Sequence, residues 1–133
     1  MRLLIAEDDF IARYVLNEIL AGYGQCDVVV DGAEAVQAFR MAVGEKKPYN
    51  VIFLDIMMPN VDGIEALKRI RSIEKEQGVL PGREVKVVMT TALDDPKTVI
   101  AAYYQGGADS YLVKPITKNK IDEELRKVNL VAL

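Results

Sequence analysis

Five polar side chains in this 133-residue chain stand where an apolar run ends. Asp8 and Asp9 follow Leu3-Leu4-Ile5-Ala6, and Asp55 follows Val51-Ile52-Phe53-Leu54. Thr91, next to Thr90, closes the run that begins at Val85, and Lys114 follows Leu112-Val113. Three carboxylates gathered about 5 Å apart would repel by roughly 3 kcal/mol per pair at an effective dielectric near 20. One lysine cannot balance three such charges. A divalent cation that prefers hard oxygen ligands can, and a water-rich site with few carboxylates suits Mg²⁺. A metal held this way keeps open positions for a phosphoryl group. That group needs an acceptor nucleophile, a cation and a hydroxyl for its equatorial oxygens, and Asp55, Lys114 and Thr91 offer one each. Each residue also has a plainer reading. Asp9 can cap a helix, Asp55 can close a turn, Thr91 can be an ordinary strand-end hydroxyl, and Lys114 can be a solvated charge. Four coincidences at neighbouring strand ends favour a common pocket.

The elements must bring these ends together. Val51–Leu54 has no polar face, the pattern of a strand buried on both sides of a parallel sheet. Leu3–Ala6, Cys26–Val30, Val85–Thr90 and Asp109–Val113 read as four further strands, the second closed by Asp31-Gly32 as a turn or helix cap. Between them lie helical spacings. Ile11, Val15 and Ile19, flanked by Tyr14, Leu16 and Leu20, recur until Gly22 and Gly24. Ala35, Val36, Phe39 and Val43 face inward on a second helix, and Ile64, Leu67, Ile70 and Ile73 on a third opened by Asp62-Gly63. Glu74 to Glu84, with Gly78, Pro81 and Gly82, reads as a loop. Asp95 and Pro96 start a fourth helix that stops at Gly106-Gly107. Ile121, Leu125 and Val128 mark the fifth. Five strands alternating with five helices predict an α/β fold: a doubly wound, flavodoxin-like parallel sheet of order 2-1-3-4-5. In that order the second strand lies at the edge, and it is the one strand without a site residue at its end.

Composition narrows the function. Lys and Arg number 17 against 20 Asp and Glu, a net charge of −3 that gives no reason to expect direct nucleic-acid binding. No apolar run approaches the roughly 20 residues of a membrane span. Acidic residues follow Leu3–Ala6 at once, unlike a signal peptide. The single Cys26 cannot pair internally and reads as a small buried apolar side chain, which fits a cytoplasmic setting. The absence of histidine removes imidazole acid–base catalysis and His metal ligands. No G-x-x-x-x-G-K-[ST] motif occurs, which argues against a nucleotide switch. Aspartate-nucleophile phosphatases of the haloacid dehalogenase type place a second Asp two residues after the nucleophile, where this chain has Met57.

Glu7-Asp8-Asp9, Leu54-Asp55-Ile56-Met57-Met58-Pro59 with Asp62-Gly63, Met89-Thr90-Thr91-Ala92, and Tyr111-Leu112-Val113-Lys114-Pro115 occur in this order and spacing. With them, residues 2–128 resemble the receiver domain of bacterial two-component response regulators, of the single-domain, chemotaxis-regulator-like kind. The resemblance implies that Asp55 accepts a phosphoryl group from a phosphohistidine on a sensor histidine kinase or phosphotransfer protein. It implies that Asp9, Asp55 and the main-chain carbonyl of Met57 bind Mg²⁺ directly, with Asp8 acting through water. Lys114 then pairs with the phosphoryl oxygens, Thr91 swings in to hydrogen-bond one of them, and Tyr111 follows Thr91. It also implies a cis Lys114-Pro115 bond. The readout expected is a face of the fourth helix, fifth strand and fifth helix. There Ile100 and Tyr104 form a surface for a downstream protein or a homodimer, and Val99, Ala102 and Tyr103 pack inward. Met57 and Leu93 are apolar where polar side chains can position a hydrolytic water, so self-dephosphorylation is expected to be slow. A receiver domain is expected over residues 1–128, with 129–133 extending the last helix or starting a linker. A stand-alone regulator is the preferred reading. A receiver cut from a larger regulator and a phosphorylation-independent interaction module are the alternatives.

Overall fold

A computed structural model describes residues 1–92, 101 and 107–130. The strands are β1 (Arg2–Ala6), β2 (Gln25–Val29), β3 (Val51–Asp55), β4 (Lys86–Thr91) and β5 (Ser110–Val113). The helices are α1 (Phe10–Leu20), α2 (Gly32–Gly44), α3 (Gly63–Glu76) and the C-terminal α4 (Lys118–Lys127). All strand pairs are parallel, in the order β2-β1-β3-β4-β5 expected from the alternation. The helix expected after Asp95, with Leu93, Val99, Ile100, Ala102, Tyr103 and Tyr104, lies outside the described residues.

Double winding follows from the strand pleat, which sends successive side chains to opposite faces. Leu4, Ala6, Ile52, Leu54 and Met89 pack under α2 and α3, against Phe39, Leu67 and Ile70. Leu3, Ile5, Phe53 and Val88 face the other way, against Leu16 and Leu20 of α1 and Ile121 and Leu125 of α4. Every residue of β3 is buried, as its apolar run required.

Side-chain caps set where the helices begin. The carboxylates of Asp9, Asp31 and Asp62 accept from the amides of Ala12, Glu34 and Glu65 at 2.9, 2.8 and 2.8 Å, satisfying donors that the first turn leaves open. Thr117 caps α4 in the same way through Lys120. On α1 the buried residues are Leu16 and Leu20, with Ile19 packed partly against the second core; Ile11 and Val15 of the expected stripe, and Tyr14 beside them, face solvent. After α4 the amide of Leu130 donates to the carbonyl of Leu125, and the Leu130 side chain packs on the second core.

Candidate functional site: an acidic pocket at the strand ends

Strand register builds the pocket. Ala6 pairs with Leu54, so Glu7 comes level with Asp55; Asp55 pairs with Thr90; Thr91 pairs with Val113, and Lys114 follows. The Lys114 amide donates to the Thr91 carbonyl at 2.7 Å. Lys114-Pro115 is cis. Ligands of open α/β sheets collect outside the carboxyl ends of the strands, and those four ends converge here.

Asp55 is 3% exposed. Its Oδ2 lies 3.4 Å from the Lys114 ammonium, and its Oδ1 accepts from the Met57 amide at 3.2 Å. Lys114 also donates to Glu7 Oε1. Glu7 is fully buried, and its Oε2 has no partner. Burial, with Glu7 adding a like charge, pushes the Asp55 carboxyl from 3.8 up to about 7 against the pull of Lys114 and the Met57 amide. Burial works to lower the Lys114 ammonium, but Glu7 and Asp55 outweigh it and raise it.

The acidic turn departs from expectation. Glu7, Asp8 and Asp55 each offer a carboxylate oxygen within 4.8 Å of the others. Asp9, expected as a direct metal ligand, instead caps α1 with its carboxylate on Ala12. The cause is where β1 ends. Glu7 continues the alternation of Leu3 and Ile5 into the interior, while Asp9 falls one residue before the helix, where an amide-accepting carboxylate is most useful. The motif gives Glu7 no role of its own, although its parity with Leu3 and Ile5 signals an inward side chain. Thr91 and Met57 lie next to the paired Thr90 and just after Asp55, whereas Tyr111 pairs with Met89 two residues before the end of β4. Thr91 ends β4 and is buried, the Met57 side chain is 62% exposed beside Asp55, and Tyr111 is half-buried against the first core. Three hard-oxygen carboxylates, one with a buried oxygen lacking any partner, form a donor set that fits Mg²⁺.

The pocket floor depends on a glycine. Gly63 starts α3 directly against the end of β3, its amide donating to the Ile56 carbonyl at 3.0 Å. A Cβ there would stand 2.1 Å from the Asp55 carbonyl oxygen and 2.9 Å from Ile56 Cα. Both are backbone atoms that cannot yield alone, so α3 must shift. Gly63→Ala is expected to lose about 2–3 kcal/mol in urea unfolding; an unchanged midpoint would show that the two elements separate freely.

A family model described as the response regulator receiver domain matches residues 3–126. The chain is a response regulator receiver domain. It is 32% identical to the chemotaxis protein CheY of Thermotoga maritima over 130 residues, covering 96% of this chain and 97% of that protein. It is also 32% identical to the hybrid signal transduction histidine kinase L of Dictyostelium discoideum, of which it spans 7% while 95% of this chain is covered. The receiver domain of the Arabidopsis thaliana histidine kinase CKI1, crystallised with Mg²⁺ and BeF₃⁻, superposes with a TM-score of 0.81 at 26% identity. That match covers 96% of this chain and 88% of the CKI1 chain. This receiver domain is therefore homologous both to CheY and to domains carried by histidine kinases.

Proposed function

We propose that this receiver domain is a phosphoacceptor switch. Asp55 takes a phosphoryl group from the phosphohistidine of a sensor kinase or phosphotransfer protein, with Mg²⁺. The change alters the surface of the segment after β4, of β5 and of α4 to regulate a downstream protein or a homodimer. One observation carries the reading: a buried Asp55 carboxylate within 3.4 Å of an ammonium and within 4.8 Å of the Glu7 and Asp8 carboxylates.

The Asp55 oxygen attacks phosphorus, and the bond to the donor imidazole nitrogen breaks with its electron pair leaving on that nitrogen. Asp8, Glu7, Asp55 and the Met57 carbonyl would hold the cation. Mg²⁺ supplies charge neutralisation to the acidic group and to the phosphoryl oxygens. Lys114 transfers its contact from the carboxylate to a phosphoryl oxygen, and the Thr91 hydroxyl donates to another. The added charge, about −1.5 to −2, draws both toward Asp55 and biases the two-state surface. Ile11, Val15, Pro115 and Ile116 line an apolar groove bordered by Lys114, and Phe10 and Ile11 are each 70% exposed. A protein donor reaching Asp55 can cover this rim.

Incubation with acetyl phosphate and Mg²⁺, followed by intact mass, tests the reading. One added phosphoryl group is expected, and none with a chelator or in Asp55→Asn. If the wild type takes up nothing, a phosphorylation-independent interaction module is the better description. The phosphorylated form is expected to decay slowly, since the Met57 side chain cannot hydrogen-bond a hydrolytic water. Met57→Asn should speed decay roughly tenfold, the worth of one hydrogen bond of about 1.4 kcal/mol in the transition state. A wild-type lifetime of seconds, or slower decay in the variant, would contradict this.

A further inference from the structure

Arg13 lies one turn into α1 and reaches back over the acidic turn. Its Nη1 donates to the Glu7 carbonyl at 2.9 Å and to the Asp8 carbonyl at 3.2 Å. The guanidinium also stands 5.6 Å from the centroid of the Phe10 ring, which braces it. No other side chain among the described residues is seen to hold these two carbonyls. The rest of the turn is tied by different groups: the Glu7 amide donates to the Val29 carbonyl at 3.2 Å, and Asp9 is bound to Ala12.

We propose that Arg13 is a positioning residue for the cation site: its bonds to the Glu7 and Asp8 carbonyls fix the turn that aims both carboxylates at Asp55. The physical argument concerns direction. The Glu7 and Asp8 carbonyls belong to the two peptide planes that flank Asp8, so clamping both fixes the backbone of Asp8 and with it the direction of its Cα–Cβ bond, which holds its exposed carboxylate within reach of Asp55 and Glu7. Outer groups that orient metal ligands commonly matter about tenfold or more in affinity. Through space, a guanidinium works the other way, since a fixed positive charge repels a bound cation. The two roles predict opposite signs for the same substitution.

This inference rests on the receiver reading of the pocket, and Mg²⁺ binding measured by calorimetry on the whole chain separates the two. Under the receiver reading the wild type binds Mg²⁺ and Asp8→Asn does not. Arg13→Met keeps an unbranched apolar stem and removes the donors, so its dissociation constant is expected to rise on the order of tenfold. Arg13→Lys, which keeps one donor group, should fall between the two. Weakening by Met with partial rescue by Lys supports positioning, because a role confined to stability would lower the unfolding midpoint without moving the constant. An unchanged or tighter constant in Arg13→Met overturns the proposal and leaves the receiver reading intact. If Arg13→Met does not fold, a Lys variant that binds like the wild type overturns it. A wild type that does not bind Mg²⁺ overturns both.

Discussion

Lys114→Met should slow phosphorylation of Asp55 by acetyl phosphate about a hundredfold or more and destabilise the metal-free protein by about 2 kcal/mol. The rate effect follows from removing a preplaced cation where phosphoryl charge develops, a loss comparable to deleting a principal electrostatic donor. The stability effect follows from what stays behind. Lys114 is the ammonium that contacts both Asp55 and Glu7, and methionine leaves those buried carboxylates facing each other. Breaking a fully buried pair costs about 3–5 kcal/mol. Lys114 is partly open to solvent and Asp55 can take up a proton, so a smaller figure is expected. Mg²⁺ should restore part of the stability, since it neutralises the same oxygens. Urea unfolding with chelator and with Mg²⁺, beside intact-mass kinetics, reads both effects. A variant as stable and as readily phosphorylated as wild type would mean that Lys114 serves neither role.

Asp55→Asn should abolish phosphoryl uptake and yet stabilise the metal-free protein, more at pH 8 than at pH 5. The folded protein holds the Asp55 proton up to about pH 7, whereas the unfolded chain releases it near 3.8. Between those values the folded state binds more protons, so wild-type stability falls as pH rises through the window and the full penalty is present above it. Moving from 3.8 to about 7 corresponds to at most about 4 kcal/mol. The Glu7–Lys114 pair persists in the variant, and a gain of about 1–3 kcal/mol at pH 8 is expected, shrinking toward zero below pH 5. Saturating Mg²⁺ should reverse the order by favouring the wild-type carboxylate. The measurement is the unfolding midpoint against pH for both proteins, with and without Mg²⁺. A pH-independent difference would place the penalty in packing.

The site combines a buried carboxylate, Asp55, an ammonium that contacts it, and the neighbouring Glu7 and Asp8 carboxylates, whose like charges repel. Such an arrangement is costly to stability. In the proposed switch it also couples the pocket to its surroundings, since an added phosphoryl group would compete with Glu7 and Asp55 for Lys114.

Much of this was written locally in the chain. The apolar run of β3, strands alternating with helices, and Asp31 and Asp62 placed before helices depend on near neighbours, and they specified a doubly wound sheet with its polar ends gathered. The motif order pointed to Asp55, Thr91 and Lys114 for the same reason, because each sits at the end of a recognisable strand. What needed tertiary structure was the choice among Glu7, Asp8 and Asp9. Three consecutive acids look alike in sequence. Their roles were decided by the pleat of β1, by the residue at which α1 begins, and by an ammonium 107 residues away that pairs with Glu7. The outward turn of Ile11 and Tyr14 had a similar origin, since the angle at which a helix meets its sheet selects which of two apolar stripes is buried. Side-chain direction at an element boundary is set by what packs against it, and that contact is not local.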